Sequence, residues 1–167
     1  MKLAYSRKIK SMAEAIEEIH KVKSESKKVV FTNGCFDILH MGHVRYLSEA
    51  RDLGDFLVVG LNSDESIRKI KGPKRPIQDE RSRAEVLAGL SFVDMVVLFS
   101  DETPLSLILA LRPDVLVKGG DWKLDEIVGA KEVWGWGGKV EVIPYLKGYS
   151  TSDVIDRILK GHSSQGH

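Results

Sequence analysis

Residues 28–43 read KVVFTNGCFDILHMGH and contain the clearest structural signal in the chain. Residues 28–33 form a short β-branched run, which predicts a buried strand. Gly34 follows this run, and apolar residues at helical spacing then predict a helix over 42–53. A strand that passes through a glycine-containing turn into a helix is a typical unit of α/β folds.

The alternation of strand and helix continues along the chain. Apolar runs predict further strands at 56–61, 93–99, 114–118 and 139–144. Helical periodicity and capping residues predict further helices at 11–24, 64–70, 79–90, 103–111, 125–136 and 151–159. Because the strands are continuously apolar, we expect both faces of the sheet to be covered. The sequence therefore predicts an α/β, Rossmann-like doubly wound sheet of five parallel strands, with helices on both faces and ligands beyond the carboxyl ends of the strands.

The 167 residues show no internal repeat, linker or low-complexity block, so we expect a single domain over 1–167. Within it, residues 1–26 are expected to form an N-terminal helical extension whose helix is capped by Ser11. Residues 161–167 are small and polar, which predicts a flexible tail.

Composition excludes several classes of protein. The 25 basic and 24 acidic residues give a net charge of +1, which argues against a bulk nucleic-acid or membrane-surface partner. No apolar run approaches the ~20 residues that cross a bilayer. Cys35 is the only cysteine, so no intramolecular disulfide is possible. Together with an N-terminus that lacks the apolar core of a secretory signal, this predicts a cytoplasmic location.

The candidate site lies where the first predicted strand meets its helix. His40 and His43 flank Gly42 at the start of that helix, where free N–H groups and the helix dipole favour an anion such as phosphate. Imidazoles can donate to phosphate oxygens, and Gly42 would let a phosphate approach the backbone closely. One alternative is that the two histidines only cap and pack. A zinc site is a second alternative, but its ligand set is poor, because Asp37 is expected to cap the turn or orient a histidine.

The motif GCFDILHMGH at 34–43 resembles the G-x-F-D-x-x-H-x-G-H signature of the nucleotidyltransferase superfamily that includes the cytidylyltransferases. A second signature of that superfamily, Ser-Thr-Ser before the last helix, has its counterpart in residues 150–152. Two motifs in the expected order and structural context make a specific match. The arginine that precedes the second motif in the cytidylyltransferases is missing here, and Lys147 is the nearest cation.

Further segments narrow the resemblance to the heptose 1-phosphate adenylyltransferase family, in the form that is not fused to a sugar kinase. These segments are LNSDESIRKIKG (61–72), DETP (101–104), RPDVLVKGGDW (112–122), IVGAKEV (127–133) and STSDVI (150–155). The resemblance implies a reaction of ATP with D-glycero-β-D-manno-heptose 1-phosphate that yields ADP-heptose and pyrophosphate. ADP-heptose serves the lipopolysaccharide inner core and related surface glycans. Chemistry of this kind implies Mg²⁺, held mainly by phosphates and water.

The resemblance also implies roles for individual residues. His40, His43 and Lys71 would act at the phosphates during catalysis. Nucleotide-binding residues would come from the strand ends and helix starts, namely Thr32, Asn33, Gly34, Cys35, Phe36, Gly42, Lys118, Gly119, Ser150, Thr151 and Ser152. The sugar substrate would contact Asn62, Asp64, Arg75, Asp121 and Trp122, and no residue is assigned to a dedicated metal site.

Several of these residues also have ordinary structural explanations. The basic run at 68–75 is either a phosphate clamp or a solvated face, and the hydroxyls at 150–152 either hold phosphates or cap the last helix. Trp122 is either a sugar platform or a core or lid residue. Arg81 either matches a recurring superfamily arginine or forms an ion pair. Cys35 is expected to pack rather than to react, because nothing basic adjoins it in sequence.

Other functions stay open for the whole chain. The same chemistry could act on another pair of substrates, as in a cytidylyltransferase or an FMN adenylyltransferase. A non-catalytic nucleotide-binding module on the same fold is an alternative of a different class. By analogy with related enzymes, a homo-oligomer is possible, with the helix at 11–24 as a candidate interface.

Overall fold

The computed structural model of the protein describes residues 3–163. Within this range the strands are β1 (Ile9–Lys10), β2 (Val29–Gly34), β3 (Phe56–Asn62), β4 (Met95–Phe99), β5 (Val115–Gly119) and β6 (Lys139–Ile143). The α-helices are α1 (Met12–Ser24), α2 (Met41–Asp52), α3 (Asp64–Lys71), α4 (Glu80–Ala88), α5 (Leu105–Leu111), α6 (Ala130–Gly135) and α7 (Thr151–Ser163). Short 3₁₀ helices occupy Ala4–Lys8 and Leu124–Glu126.

All the strands pair in parallel in one sheet, in the order β1-β4-β3-β2-β5-β6. The predicted parallel α/β fold is therefore confirmed, but its count of five strands is one too low. The additional strand is β1, in which Ile9 and Lys10 pair with Val96 and Val97 of β4. Two residues are too few to show a periodicity in the sequence, so this strand is recognised only by its pairing with β4. The segment predicted as a helical extension thus contributes to the sheet as well.

Two other boundaries differ from the prediction. The helix predicted over 125–136 is divided into Leu124–Glu126 and α6, because Gly129 takes φ +88° between them. A Cβ at Gly129 would lie 2.8 Å from Ile108, so the break lets the backbone pack closely on α5. The predicted tail begins too early, since α7 continues to Ser163, and residues 164–167 lie outside the described residues.

Each face of the sheet carries its own apolar core, because successive strand residues point to opposite faces. On one face, residues such as Phe31 and Val58 pack with α1, α5 and α6. On the other face, Val30 and Val59 pack with α2 and α4. Helix α1 begins at the predicted cap, where Ser11 and Glu14 form a reciprocal capping box. No helix in the described part of the chain is long and apolar enough to cross a bilayer.

A buried arginine on α4 connects the strand ends that carry the candidate site. The Arg83 side chain is 1% exposed, and its guanidinium donates to the carbonyl oxygens of Cys35 (2.8 Å), Asn62 (2.8 Å) and Gln78 (3.0 Å). It also donates to a carboxylate oxygen of Asp64 at 2.7 Å. One side chain thereby joins the turn after β2, the end of β3 and the loop before α4.

Replacing Arg83 with methionine should destabilise the protein strongly. The variant keeps an unbranched side chain but leaves the Asp64 carboxylate and buried carbonyl groups without a donor, which should lower the free energy of unfolding by about 3–5 kcal/mol. Arg81→Met is the matched control, because the Arg81 side chain is 89% exposed and its ion pair is with Glu85 on the same helix. Its cost should stay within about 0.5 kcal/mol. Urea denaturation measures both values, and equal costs for the two variants would contradict the role given to Arg83.

Candidate active site

The candidate site lies at the carboxyl edge of the sheet, between β2 and β5. The chain proceeds from β2 through β3 to β4 on one side and then through β5 to β6 on the other, so the topology reverses at this point. Open parallel sheets bind ligands at such a switch point. A cavity of about 740 Å³ occupies it, within the range of small-molecule sites.

The two histidines lie at the floor of this cavity. His40 precedes the first turn of α2 and makes no capping hydrogen bond through its side chain, so the capping explanation does not apply to it. The His40 and His43 rings stack with centroids 3.8 Å apart and an angle of 23° between their planes. The Nδ1 atoms of both rings are buried without a hydrogen-bond partner among the described residues. A Cβ at Gly42 would lie 3.0 Å from the His40 ring, so glycine leaves the room that this stack needs.

Burial keeps both imidazoles uncharged near neutral pH. The pKa of His43 is lowered to about 4, mainly by burial and also by the charges of His40 and Lys71, against an opposing hydrogen bond with the Ile38 backbone. Burial also lowers the pKa of His40, against an opposing effect of the Asp153 carboxylate. The site therefore offers neutral imidazoles, which can donate a hydrogen bond to an anion without first losing or gaining a proton.

Asp37 organises the loop opposite the histidines. Its buried carboxylate accepts hydrogen bonds from the backbone N–H groups of Ile77 and Gln78 and from Nε of Arg75 at 2.7 Å. Burial alone would raise the pKa of Asp37, but these donors lower it below its ordinary value. Asp37 was expected to cap its own turn or to orient a histidine. The structure instead places it as the acceptor that anchors the loop at 75–78.

The structure divides the basic run into two groups. Lys71, at the end of α3, and Arg75 both line the cavity, and Lys71 is near enough to His43 to influence its pKa. Arg68, Lys69 and Lys74 do not line it, and Lys69 pairs with Glu65 at 2.7 Å on the outer face of α3. Only Lys71 and Arg75 of this run are therefore placed where they could contact a ligand in the cavity.

Two tyrosines enclose the end of β5. A Cβ at Gly119 would lie 3.0 Å from the Tyr145 ring and 3.2 Å from the Tyr46 ring, and one at Gly120 would lie 2.7 Å from Tyr145. The Tyr46 hydroxyl is 2.5 Å from that of buried Thr32, which fixes its ring beneath this strand end. The glycine pair thus permits a close aromatic approach, as expected for a strand end that faces a ligand.

Lys118 also lies at the end of β5, in the cavity wall. Burial lowers the pKa of its ammonium group, which sits 5.5 Å from the ring centre of Trp122. The Trp122 indole N–H donates to the Gly119 carbonyl at 3.1 Å, so this ring is part of the wall. Lys118 is also close enough to the Cys35 thiol for the two to interact electrostatically, although nothing basic adjoins Cys35 in sequence.

The start of α7 completes the site from the side of β6. Ser150 accepts from the N–H of Asp153 at 3.0 Å and donates to its carboxylate at 2.7 Å, so it caps the helix. The Thr151 hydroxyl donates to the Ile38 carbonyl at 3.5 Å, which connects α7 to the turn before α2. Ser152 has no such partner within the described range. Two helix N-termini, α2 and α7, therefore open into one cavity.

Most of the predicted residues come together here, and three do not line the cavity. Thr32 lies beneath it, Asp64 is paired with Arg83, and Asp121 is on the surface. Sequence reasoning missed Tyr46, although it lies one helical turn after His43. It also missed Tyr145, although that residue follows a strand end where ligands are expected.

Known proteins resemble this chain in sequence and in fold. The family described as Cytidylyltransferase-like matches residues 31–157. The bifunctional protein HldE of Geobacter sulfurreducens is 54% identical over 143 residues, which are 86% of this chain and 29% of that protein. The chain thus spans about a third of the length of the curated relatives it matches.

Solved structures agree with this match. A lipopolysaccharide core biosynthesis protein from Thermoplasma volcanium is 34% identical with a TM-score of 0.60, and the match covers 74% of this chain and 99% of that one. Pantothenate synthetase from Thermus thermophilus is 19% identical with a TM-score of 0.60 over 88% of this chain and 67% of its own, which shows the shared fold alone. With the paired histidines and the second helix N-terminus at one cavity, the chain belongs to the cytidylyltransferase-like family.

Proposed function

We propose that the protein is an adenylyltransferase that joins ATP to D-glycero-β-D-manno-heptose 1-phosphate and releases ADP-heptose and pyrophosphate. The observation that carries the proposal is the single cavity into which the α2 histidines and the α7 hydroxyls both open. Both helix N-termini favour phosphate groups. The heptose substrate is supported by the sequence segments that resemble heptose 1-phosphate adenylyltransferases and by relatives such as HldE and the Thermoplasma lipopolysaccharide core protein.

In the proposed reaction, an oxygen of the sugar phosphate attacks the α-phosphorus of ATP in line, and the bond to pyrophosphate breaks. The nucleophile is already an anion, so the site needs no general base. What it needs is orientation and stabilisation of the negative charge that develops on the transferring group. His40 and His43 supply neutral donors at the floor, and Lys71 supplies a fixed positive charge beside them.

The same arrangement favours departure of pyrophosphate. The N-terminus of α7 faces the cavity and offers its N–H groups and the Ser152 hydroxyl as donors for the β- and γ-phosphates. Lys118, at the end of β5, adds a partly buried cation on the same wall. Gly119 and Tyr46 line the cavity as well, and the nucleoside is expected beside them.

The donor set fits a magnesium ion carried by the substrate. No group of three or more His, Cys, Asp or Glu side chains converges within the described residues. Mg²⁺ retains water and binds phosphates readily, so such a cluster is not required. When bound, the ion would neutralise phosphate charge while this chain's own groups orient the two substrates.

Pyrophosphate release tests the proposal. ATP or CTP is combined in turn with the heptose β-1-phosphate, glycerol 3-phosphate or FMN, with Mg²⁺ or with EDTA. We expect turnover with ATP and the heptose phosphate, abolished by EDTA, while the melting temperature without nucleotide is unchanged by EDTA. Turnover with another pair would refute the substrate, and ATP binding without turnover would favour a non-catalytic module.

Replacing either histidine should reduce catalysis more than binding. His40→Ala and His43→Ala each remove a donor that faces the transferring phosphate, which should lower kcat by about 10²–10³-fold. His20→Ala is the matched control, because His20 is exposed on α1 and lies outside the cavity. Steady-state kinetics and ATP titration separate the effects. A rise in the Kd for ATP with kcat unchanged would contradict the catalytic role.

The neutral state of His43 should also appear in the pH dependence of stability. Its pKa is about 4 in the folded chain, against 6.5 for an ordinary histidine, so the unfolded state binds more protons between these pH values. The free energy of unfolding should therefore fall as the pH falls from about 6.5 to about 4, by at most about 3 kcal/mol from this residue.

The comparison of variants isolates this contribution. His43→Gln should flatten the decrease in that pH range, whereas His20→Gln should retain the wild-type slope. Urea denaturation at a series of pH values measures both slopes, and an identical slope in His43→Gln and the wild type would contradict a lowered pKa.

A further inference from the structure

The cavity extends well beyond the phosphate-binding groups described above. It reaches from the residues that follow β6 to those that follow β4, which lie four strand positions apart in the sheet. At a spacing of about 4.8 Å between strands, this edge is roughly 19 Å long. The groups that favour phosphate follow β2, β3, β5 and β6, so the part beyond β4 is left for another portion of the substrates.

Two segments of the cavity lining, one that follows β4 and one that follows β5, form what we call the acceptor end. They are residues 102–104, between β4 and α5, and residues 126–128, before α6. Both lie on the α5 face of the sheet, where Ile127 packs into the same core as α5. Helix α2, with the paired histidines, lies on the opposite face. The acceptor end is thus separate from the wall that faces the triphosphate.

Four carboxylates line the cavity, and they differ in their partners. Asp37 accepts three donors from the loop at 75–78, and Asp153 accepts the Ser150 hydroxyl. Glu126 lies 3.7 Å from the Lys123 ammonium. The exposed Glu102 side chain makes no hydrogen bond or ion pair within the described part of the chain, although its charge interacts with that of Lys69 on α3.

An unpaired carboxylate is unsuited to a phosphate subsite. It carries the same sign of charge as the ligand, and an ionised carboxylate can only accept hydrogen bonds. A metal ion would need further oxygen ligands, and no such group converges within the described residues. A neutral molecule with several hydroxyl donors can replace water at this exposed carboxylate without repulsion. Apolar neighbours, such as Pro104, Ile127 and exposed Val128, can contact the C–H faces of a sugar ring.

The turn that carries Glu102 is held in place by its backbone. Pro104 precedes α5 and its carbonyl accepts the first helical hydrogen bond, from Ile108, at 2.9 Å. The Thr103 hydroxyl accepts from the Leu105 N–H at 3.4 Å. At the other end of the turn, the Phe99 carbonyl accepts from Ser63 at 2.9 Å. The backbone is therefore anchored on both sides of Glu102, which limits the positions that its exposed side chain can reach.

We propose that Glu102 recognises the sugar of the acceptor substrate, accepting hydrogen bonds from its hydroxyl groups at the acceptor end of the cavity. This inference rests on the proposed function, since it concerns the sugar phosphate of that reaction. It places the sugar beyond β4 and its phosphate toward Lys71 and Arg75, so that the phosphate points at the histidines and the attacked ATP. Glu102 contributes to selection of the acceptor, and it takes no part in the transfer step.

Steady-state kinetics of Glu102→Gln test this role with ATP and the heptose 1-phosphate as substrates. The substitution keeps the shape but removes the charge that strengthens hydrogen bonds to hydroxyl groups. We expect the KM for the sugar phosphate to rise about tenfold, with the KM for ATP, the Mg²⁺ dependence and kcat unchanged. Asp101→Asn is the matched control, because Asp101 is the adjacent exposed acid and does not line the cavity.

Each outcome of these measurements either supports or contradicts the role proposed for Glu102. Glu102→Asp, which restores the charge, should recover part of the affinity for the sugar phosphate, and thermal unfolding checks that every variant is folded. Unchanged kinetics in Glu102→Gln would overturn the assignment. A higher KM for ATP or a higher Mg²⁺ requirement would overturn it too, because it would place Glu102 beside the triphosphate. If the wild-type protein makes no ADP-heptose, the proposed function itself fails, a result visible before any variant is compared.

Discussion

The buried guanidinium of Arg83 is the interaction on which the geometry of the site depends. A buried charged group is stable only when its N–H groups have hydrogen-bond acceptors. Here three backbone carbonyl oxygens and the Asp64 carboxylate accept hydrogen bonds from the guanidinium. The acceptors belong to the turn after β2, the end of β3, the start of α3 and the loop before α4. These are the segments that carry the histidines and the basic loop. The same contacts explain why Asp64 does not reach the cavity, because its carboxylate is paired with the Arg83 guanidinium.

Charge is distributed along the cavity in a way that suits two different ligands. Near the switch point the histidines are held neutral by burial, and Lys71, Arg75 and Lys118 provide positive charge around them. Neutral donors and fixed cations stabilise an anion without a change of protonation during the reaction. Beyond β4 the wall becomes acidic and apolar, which suits an uncharged polyhydroxyl group. The sugar phosphate proposed as the acceptor combines both properties, so it would span the boundary between the two parts.

Sequence reasoning recovered the regular elements that depend on local pattern. Apolar runs located β2 to β6, and the Ser11 cap located the start of α1, because these signals lie within one element. It missed β1, which pairs in the sheet with the distant strand β4. It also predicted that Asp37 caps its own turn or orients a nearby histidine. The buried carboxylate instead accepts hydrogen bonds from backbone N–H groups some 40 residues later in the chain. Hydrogen-bond partners that are far apart in the chain can be identified only once the strands are assembled in register.

The sequence alone determined the parallel α/β architecture, the position of the histidine pair at a helix start, and the match of its motifs to nucleotidyltransferases. Each of these depends on a pattern of residues that are contiguous in the chain. Only the tertiary structure decided which members of the basic run line the cavity, that Lys118 lies near Cys35, and that Glu102 lies at the cavity without an ion-pair partner among the described residues. The reason is physical: burial, charge and hydrogen-bond satisfaction depend on groups that are far apart in the chain and meet at the edge of the sheet.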